Sequence, residues 1–204
     1  MDNGTNFMLQ RARELLRETP ESNPMEVLDI GPGTGGAMRA FSEDGHKATG
    51  IGLCTASYGC VEGVIEADYN TYDLGVDRFD AVWASHVLEH QLNTHHFLSK
   101  ALRELKPLGW LFLVVPPLKQ QIVGGHLNLF NEGLLVYNVI MAGFDCSEAL
   151  VSRRGYNIAC FVRKPAVPLQ LPPLRMDCGD IEKLAAFFPC PVRQGFNGEE
   201  LRRW

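Results

Sequence analysis

The chain has 204 residues, 46% of them hydrophobic and 21% charged, a composition that folds around a core and excludes a disordered chain. Its 19 basic and 24 acidic side chains give a net charge of −5, so there is no basic excess to neutralise a phosphate backbone and no nucleic-acid partner is expected. The six cysteines form no CxxC pair, the N-terminus is too polar for a signal peptide, and no apolar run reaches the ~20 residues of a membrane span. A soluble, cytoplasmic protein with free thiols and no membrane partner is the expectation.

The first element is a helix over Asn6–Glu18, with Phe7, Met8, Ala12, Leu15 and Leu16 at helical spacing. Pro20, Ser22, Asn23 and Pro24 end it. Met25–Ile30 then reads as a strand that runs into a glycine cluster. Gly35–Asp44 reads as a helix, and Lys47–Gly52, Val64–Ala67 and Phe79–Ser85 as further strands. Thr94–Lys106 has one apolar face and is stopped by Pro107-Leu108-Gly109. Trp110–Val115 is an uninterrupted apolar run, as in a strand buried on both faces. Glu132–Ala142 is a helix ended by Gly143. Phe144–Ser152 and Asn157–Arg163 flank a turn at Arg154-Gly155 and predict an antiparallel hairpin.

Strands alternating with helices predict an α/β sheet, mostly parallel, whose ligands bind at the carboxyl ends of the strands. The expected organisation is an N-terminal helix over residues 1–23, an α/β domain over 24–164, and a proline-rich linker and tail over 165–204. Asp180–Phe188 predicts a short helix in that tail. Phe187, Phe188 and the stretch from Phe196 to Trp204 are apolar enough to cover either the core or a second subunit, so a homodimer through the tail is one expectation.

The first strand ends in Asp29-Ile30-Gly31-Pro32-Gly33-Thr34-Gly35-Gly36. Glycines let a backbone turn sharply and approach a ligand, and the helix that follows favours negative groups at its start. Gly31, Gly33 and Gly36 also fit the dinucleotide fingerprint GxGxxG. A carboxylate at Asp29, inside the strand end, suits a ligand with a cationic head better than a pyrophosphate. DIGPGTG resembles the first motif of the class I S-adenosylmethionine-dependent methyltransferases. Phe79–His90, then Leu105-Lys106-Pro107-Leu108-Gly109 before an apolar strand, then His126–Phe130 and Ala142-Gly143-Phe144 are similar to later segments of that superfamily, in the same order. The likeness covers roughly residues 25–163.

The resemblance implies a Rossmann-like, seven-stranded, mostly parallel sheet with an antiparallel last strand and helices on both faces. It implies S-adenosylmethionine as cofactor, with Gly31, Gly33 and Gly35 lining its methionine part and Asp29 orienting the loop and the ammonium. Asp68 would accept from the adenine amino group, and Tyr69 would lie against the ring. Ser85 and His86 would border the sulfonium. Position 52, where the superfamily carries an acid for the ribose hydroxyls, holds Gly52. Thr55 or Ser57 is a partial substitute. The implied reaction is methyl transfer to an oxygen, less favourably a nitrogen, of a small molecule or glycan. The alternative is a binding or regulatory protein of the same fold that has lost its chemistry along with the acid at 52. A nicotinamide enzyme ranks third, because it too would need that acid.

His86-Val87-Leu88-Glu89-His90 spells HxxEH, a zinc-hydrolase pattern that requires both histidines on one helical face. His86 closes a strand and the superfamily likeness accounts for the segment, so no metal is expected. His95 and His96 read as solvated. His126 follows the fifth strand after Gly124-Gly125. Imidazole changes charge near neutral pH, which suits a general base that orients or deprotonates an acceptor hydroxyl.

Overall fold

A computed structural model describes residues 3–19, 24–53 and 61–201. Thr55 and Ser57, the substitutes for the missing acid, lie outside them, as do Cys54 and Cys60. Seven strands form one sheet: β1 (Glu26–Ile30), β2 (Lys47–Gly52), β3 (Val64–Glu66), β4 (Phe79–Ser85), β5 (Leu105–Val115), β6 (Leu150–Arg154) and β7 (Asn157–Arg163). The order across the sheet is β3-β2-β1-β4-β5-β7-β6. β1 to β5 pair in parallel, and β7 runs against both β5 and β6. The Rossmann-like architecture and the closing antiparallel hairpin are as expected.

Helices cover both faces because strand side chains alternate. Val27, Ala81, Trp83, Phe112, Val114, Ala159 and Phe161 pack with α1 (Asn3–Glu18) and α2 (Gly36–Glu43). Their neighbours Leu28, Val82, Ala84, Leu111, Leu113 and Cys160 point the other way, toward α3 (Thr94–Glu104) and α4 (Glu132–Met141). Asn93 and Asn131 start those two helices: their side chains accept from the backbone N–H of His96 (2.9 Å) and Leu134 (2.7 Å).

Several boundaries differ from the sequence reading. α3 stops at Glu104, and Leu105 is already extended and paired with Phe79. Pro107 disfavours a helical Lys106, and Leu108 at φ +66° makes the bulge that separates Leu105 from the regular pairing at Trp110. The strand predicted from Phe144 begins only at Leu150, because the Asp145 carboxylate accepts from the Ser147 N–H and turns the chain first.

The tail does more than trail from the core. Leu184, Phe188 and Leu201 are buried in the cluster beneath α3 and α4. The Gly133 N–H donates to the Asn197 carbonyl at 3.0 Å, and Phe188 meets Phe196 edge to face. Of the two destinations open to these apolar side chains, the structure shows the core of the same chain. α5 (Asp180–Lys183) is one turn, followed by a 3-10 turn at Ala185–Phe187. The Lys183 ammonium, with backbone N–H donors from Arg175 and Met176, holds the Asp180 carboxyl down at about 2. Cys146, Cys160, Cys178 and Cys190 are free thiols. Among the described residues no helix is long and apolar enough to cross a membrane.

Candidate active site

β1 lies between β2 and β4, so its carboxyl end is enclosed on both sides. Asp29 pairs in register with Gly50 and Trp83 and is only 2% exposed. The Met38 backbone N–H holds one side of its carboxyl, but Oδ2 is buried with no hydrogen-bond partner. Burial pushes its pKa up to about 7, against the opposing pull of that N–H. Thr5, Asp29, Gly31, Pro32, Ala37, Trp83, Ser85 and His86 enclose a cavity of about 280 Å³.

Gly31 and Gly35 adopt φ +71° and +74°. A Cβ on Gly31 would meet Val87 at 2.6 Å, and one on Gly35 would meet Val61 at 2.5 Å. Both positions therefore demand glycine for space as well as for conformation. A Cβ on Gly33 would meet nothing within 4 Å, so that stretch of loop backbone faces open space. The Gly31 N–H donates to the Ile51 carbonyl at 2.8 Å, which draws the loop against the end of β2. Gly52 is next to it, and a Cβ there would lie 3.6 Å from the Gly31 Cα.

One strand further out, the Ala67 N–H donates to the Gly52 carbonyl and brings Asp68 to the same edge. Asp68 Oδ1 accepts from the Asn70 backbone and side-chain N–H groups. Tyr69 goes elsewhere. It is 4% exposed, its hydroxyl donates to Glu104 at 2.9 Å, and its ring packs edge to face on Phe97 beneath the Lys100 ammonium. The expected adenine contact is corrected to a core role: the ring alternates away from Asp68 and is held by a buried ion pair between Lys100 and Glu104.

His86 ends β4 at φ +56°, an uncommon conformation for a side chain of this size. Its Nε2 donates to Asn157 Oδ1 at 2.8 Å, and the Thr5 hydroxyl donates to the same oxygen at 3.2 Å. The N-terminus of α1 is thereby tied to the rim of the cavity. Thr5 belongs to the site although no motif marks it, because it is placed there by α1 and its hydrogen bond to Asn157, 152 residues away, whereas Trp83 lies within the Phe79–His90 segment.

The turn after His86 opens a second cluster. Residues 88–90 form a 3-10 turn, so His86 and His90 do not share a helical face as a zinc-hydrolase helix would need. Instead Glu89, His90 and His126 converge. The N–H groups of Leu127 and Asn128 both donate to the Glu89 carbonyl, at 2.8 and 3.0 Å, and clasp the His126 loop to this turn. Asp29, Gly31, Ser85 and His86 are thus brought together at one cavity, Gly52 and Asp68 along the neighbouring edge, and His126 on the far side of His86. A hollow of about 750 Å³ between α2 and residues 61–63 is lined by none of these residues.

The family model for the methyltransferase domain matches residues 5–138, which includes every residue lining the cavity, together with Gly52, Asp68 and His126, but not Asn157. The chain belongs to the class I S-adenosylmethionine-dependent methyltransferases. Three solved structures show how widely this fold is used. A Burkholderia thailandensis 1,6-didemethyltoxoflavin-N1-methyltransferase, solved with its substrate and S-adenosylhomocysteine, is 22% identical with TM-score 0.62, over 78% of each chain. The CurJ carbon methyltransferase is 15% identical with TM-score 0.65, over 78% of this chain and 55% of its own. The [4+2]-cyclase SpnF is 20% identical with TM-score 0.59, over 77% and 81%. At these identities the likeness shows the fold alone. No curated protein matches the sequence.

The residues of this methyltransferase domain fit its cofactor. An orphaned buried carboxylate oxygen faces a cavity walled by a glycine loop, which suits an amino-acid ammonium beside a close-lying chain.

Proposed function

We propose that the protein transfers a methyl group from S-adenosylmethionine to an oxygen, with nitrogen second, of a small molecule or sugar. The observation that carries this reading is Asp29: a buried carboxylate, orphaned at Oδ2, at the mouth of the glycine loop. When bound, the cofactor supplies an electrophilic methyl carbon on a sulfonium. Asp29 binds the ammonium, and Gly31, Gly33 and Gly35 give the methionine part its bed. Asp68 receives the adenine amino group at Oδ2, which no described residue uses. Ser85 and His86 border the sulfonium and hold the acceptor in line with it. The acceptor's proton leaves on the side that carries His126. The net charge of −5 and the exposed Ile122, Leu127 and Leu129 around His126 suit a small acceptor with an apolar body better than a polyanion.

Gly52 supports a second reading, a protein that binds without methylating. The absent hydrogen bond to the ribose removes about 1.5–3 kcal/mol, or roughly 10–100-fold in affinity. Calorimetric titration with S-adenosylmethionine and S-adenosylhomocysteine tests both. Micromolar binding that Asp29→Asn weakens is the expected result. Absent binding at millimolar cofactor would refute the methyltransferase reading.

A further inference from the structure

Glu89 is fully buried, and neither carboxylate oxygen has a hydrogen-bond partner. A buried carboxylate is normally paired or bound to a cation. Its neighbours are imidazoles: His86 Nδ1 lies 3.4 Å and His90 Nε2 3.7 Å from Oε1. His90 Nδ1 lies 2.7 Å from the Gly125 carbonyl, which can only accept, so Nδ1 carries the proton. The ring's other nitrogen, Nε2, faces Glu89 Oε1 from 3.7 Å, too far for a hydrogen bond. His126 completes the group: one donor atom from each of Glu89, His90 and His126 lies within 4.8 Å of the other two. A buried carboxylate that no hydrogen bond satisfies, with imidazole nitrogens gathered beside it, is an arrangement that a cation completes.

We propose that Glu89, His90 and His126 hold a divalent transition-metal ion, with zinc as the type. Two imidazoles and one carboxylate are a known ligand set for this class of ion. Ligands at about 2.0–2.2 Å from one ion stand a little over 3 Å apart, so the cluster closes onto it by about an ångström of side-chain rotation. His90 is exposed and His126 half-buried, which leaves both free to make that movement. The His90 hydrogen bond to the Gly125 carbonyl is the support a ligating histidine usually has. The clasp of the Leu127 and Asn128 N–H groups on the Glu89 carbonyl fixes the loop before any ion arrives. Three protein ligands leave a coordination position open. On the proposed methyltransferase reading, on which this consequence rests, the acceptor hydroxyl takes that position, its proton passes to solvent water beside the exposed His90, and its oxygen takes the methyl group as the carbon–sulfur bond of the sulfonium breaks to leave S-adenosylhomocysteine. His126 then serves the acceptor through the ion and is not a free base.

The test uses the full chain, stripped with a chelator and titrated with Zn²⁺ by calorimetry and with Co²⁺ by visible absorption, in the absence of cofactor. One equivalent should bind, develop cobalt d–d bands and raise the melting temperature. Glu89→Gln and His126→Asn should each weaken binding at least 100-fold, while His95→Ala leaves it unchanged. Glu89→Gln is isosteric and removes a buried charge, so it should melt no lower than the stripped parent. No saturable binding, or binding that Glu89→Gln and His126→Asn leave intact, overturns the site and makes the cluster an ion pair with a protonated His90. The two readings fail separately. Loss of metal binding with cofactor affinity intact sinks only this inference, and absent cofactor affinity sinks only the methyltransferase reading.

Discussion

Asp29 and Glu89 stand at the same edge of the sheet, on either side of His86, and both bury carboxylate oxygens that make no hydrogen bond. Asp29 keeps one backbone donor, from Met38, and lies beside a glycine loop. Glu89 keeps no hydrogen bond and lies beside three histidines, His86, His90 and His126. The difference separates two kinds of missing cation. A half-satisfied carboxylate beside backbone that can approach a ligand closely suits a soft organic ammonium. An unsatisfied one beside imidazole nitrogens suits a metal ion. In both, the fold carries a desolvation cost that a positive ligand relieves.

Changes on the Asp29 side test this contrast, and the largest effect is expected at Gly31. Gly31→Val places a branched side chain at φ +71° against Val87. Strain of about 1–3 kcal/mol and a blocked loop should abolish measurable cofactor binding, while zinc binding at Glu89 persists. Calorimetry with each ligand reads both halves at once, and parallel loss would merge the two regions into one.

Asp29→Asn comes next. It should weaken S-adenosylmethionine by roughly 10–100-fold, the value of a charged hydrogen bond. It should also change the pH dependence of the free protein. Asp29 titrates at about 7 when folded, against 3.8 ordinarily, so the folded state binds more protons between those values. Its contribution therefore falls as pH rises from 3.8 to 7, and the asparagine variant should lose that slope and melt higher at pH 8. Cofactor binding below pH 7 should release a proton in the parent but not in the variant, measured by calorimetry in buffers of different ionisation heat.

Gly52→Asp is expected to act in the opposite direction. It restores an acid where the ribose hydroxyls belong and should tighten cofactor binding by up to about 10-fold. A Cβ there meets Pro32 Cδ at 3.2 Å, so the proline ring must yield slightly, which limits the gain. Unchanged affinity would move the ribose away from β2. Tyr69→Phe should have the smallest effect. Losing the Glu104 hydrogen bond costs about 1 kcal/mol of stability, seen in a denaturant melt, with cofactor affinity unaltered.

The cofactor half was legible in the sequence because its signals are local. Asp29 and the glycines at 31, 33 and 35 lie within seven residues of one another, and the uninterrupted apolar run Trp110–Val115 announces a sheet buried on both faces. Tyr69 shows the limit of that reading. Adjacent residues on a chain leaving a strand point in opposite directions, so Asp68 at the edge puts its neighbour in the core. Position 144 shows another limit, since an Asp145 side-chain turn displaced a strand that apolar pattern alone would start there.

The sequence by itself determined the order of elements, the glycine loop, the family and the empty place at position 52, because each is written in contiguous residues with short-range physics. Only the tertiary structure decided what the histidines do. HxxEH pairs His86 with His90 on paper, yet a 3-10 turn breaks that pairing. Two backbone hydrogen bonds to the Glu89 carbonyl then carry His126 in from a distant loop to complete the cluster. The same is true of Thr5 and the tail, whose places depend on how helices cross the sheet. Burial and long-range contact, which no spacing encodes, left both Glu89 carboxylate oxygens without a hydrogen bond and so made it a candidate ligand.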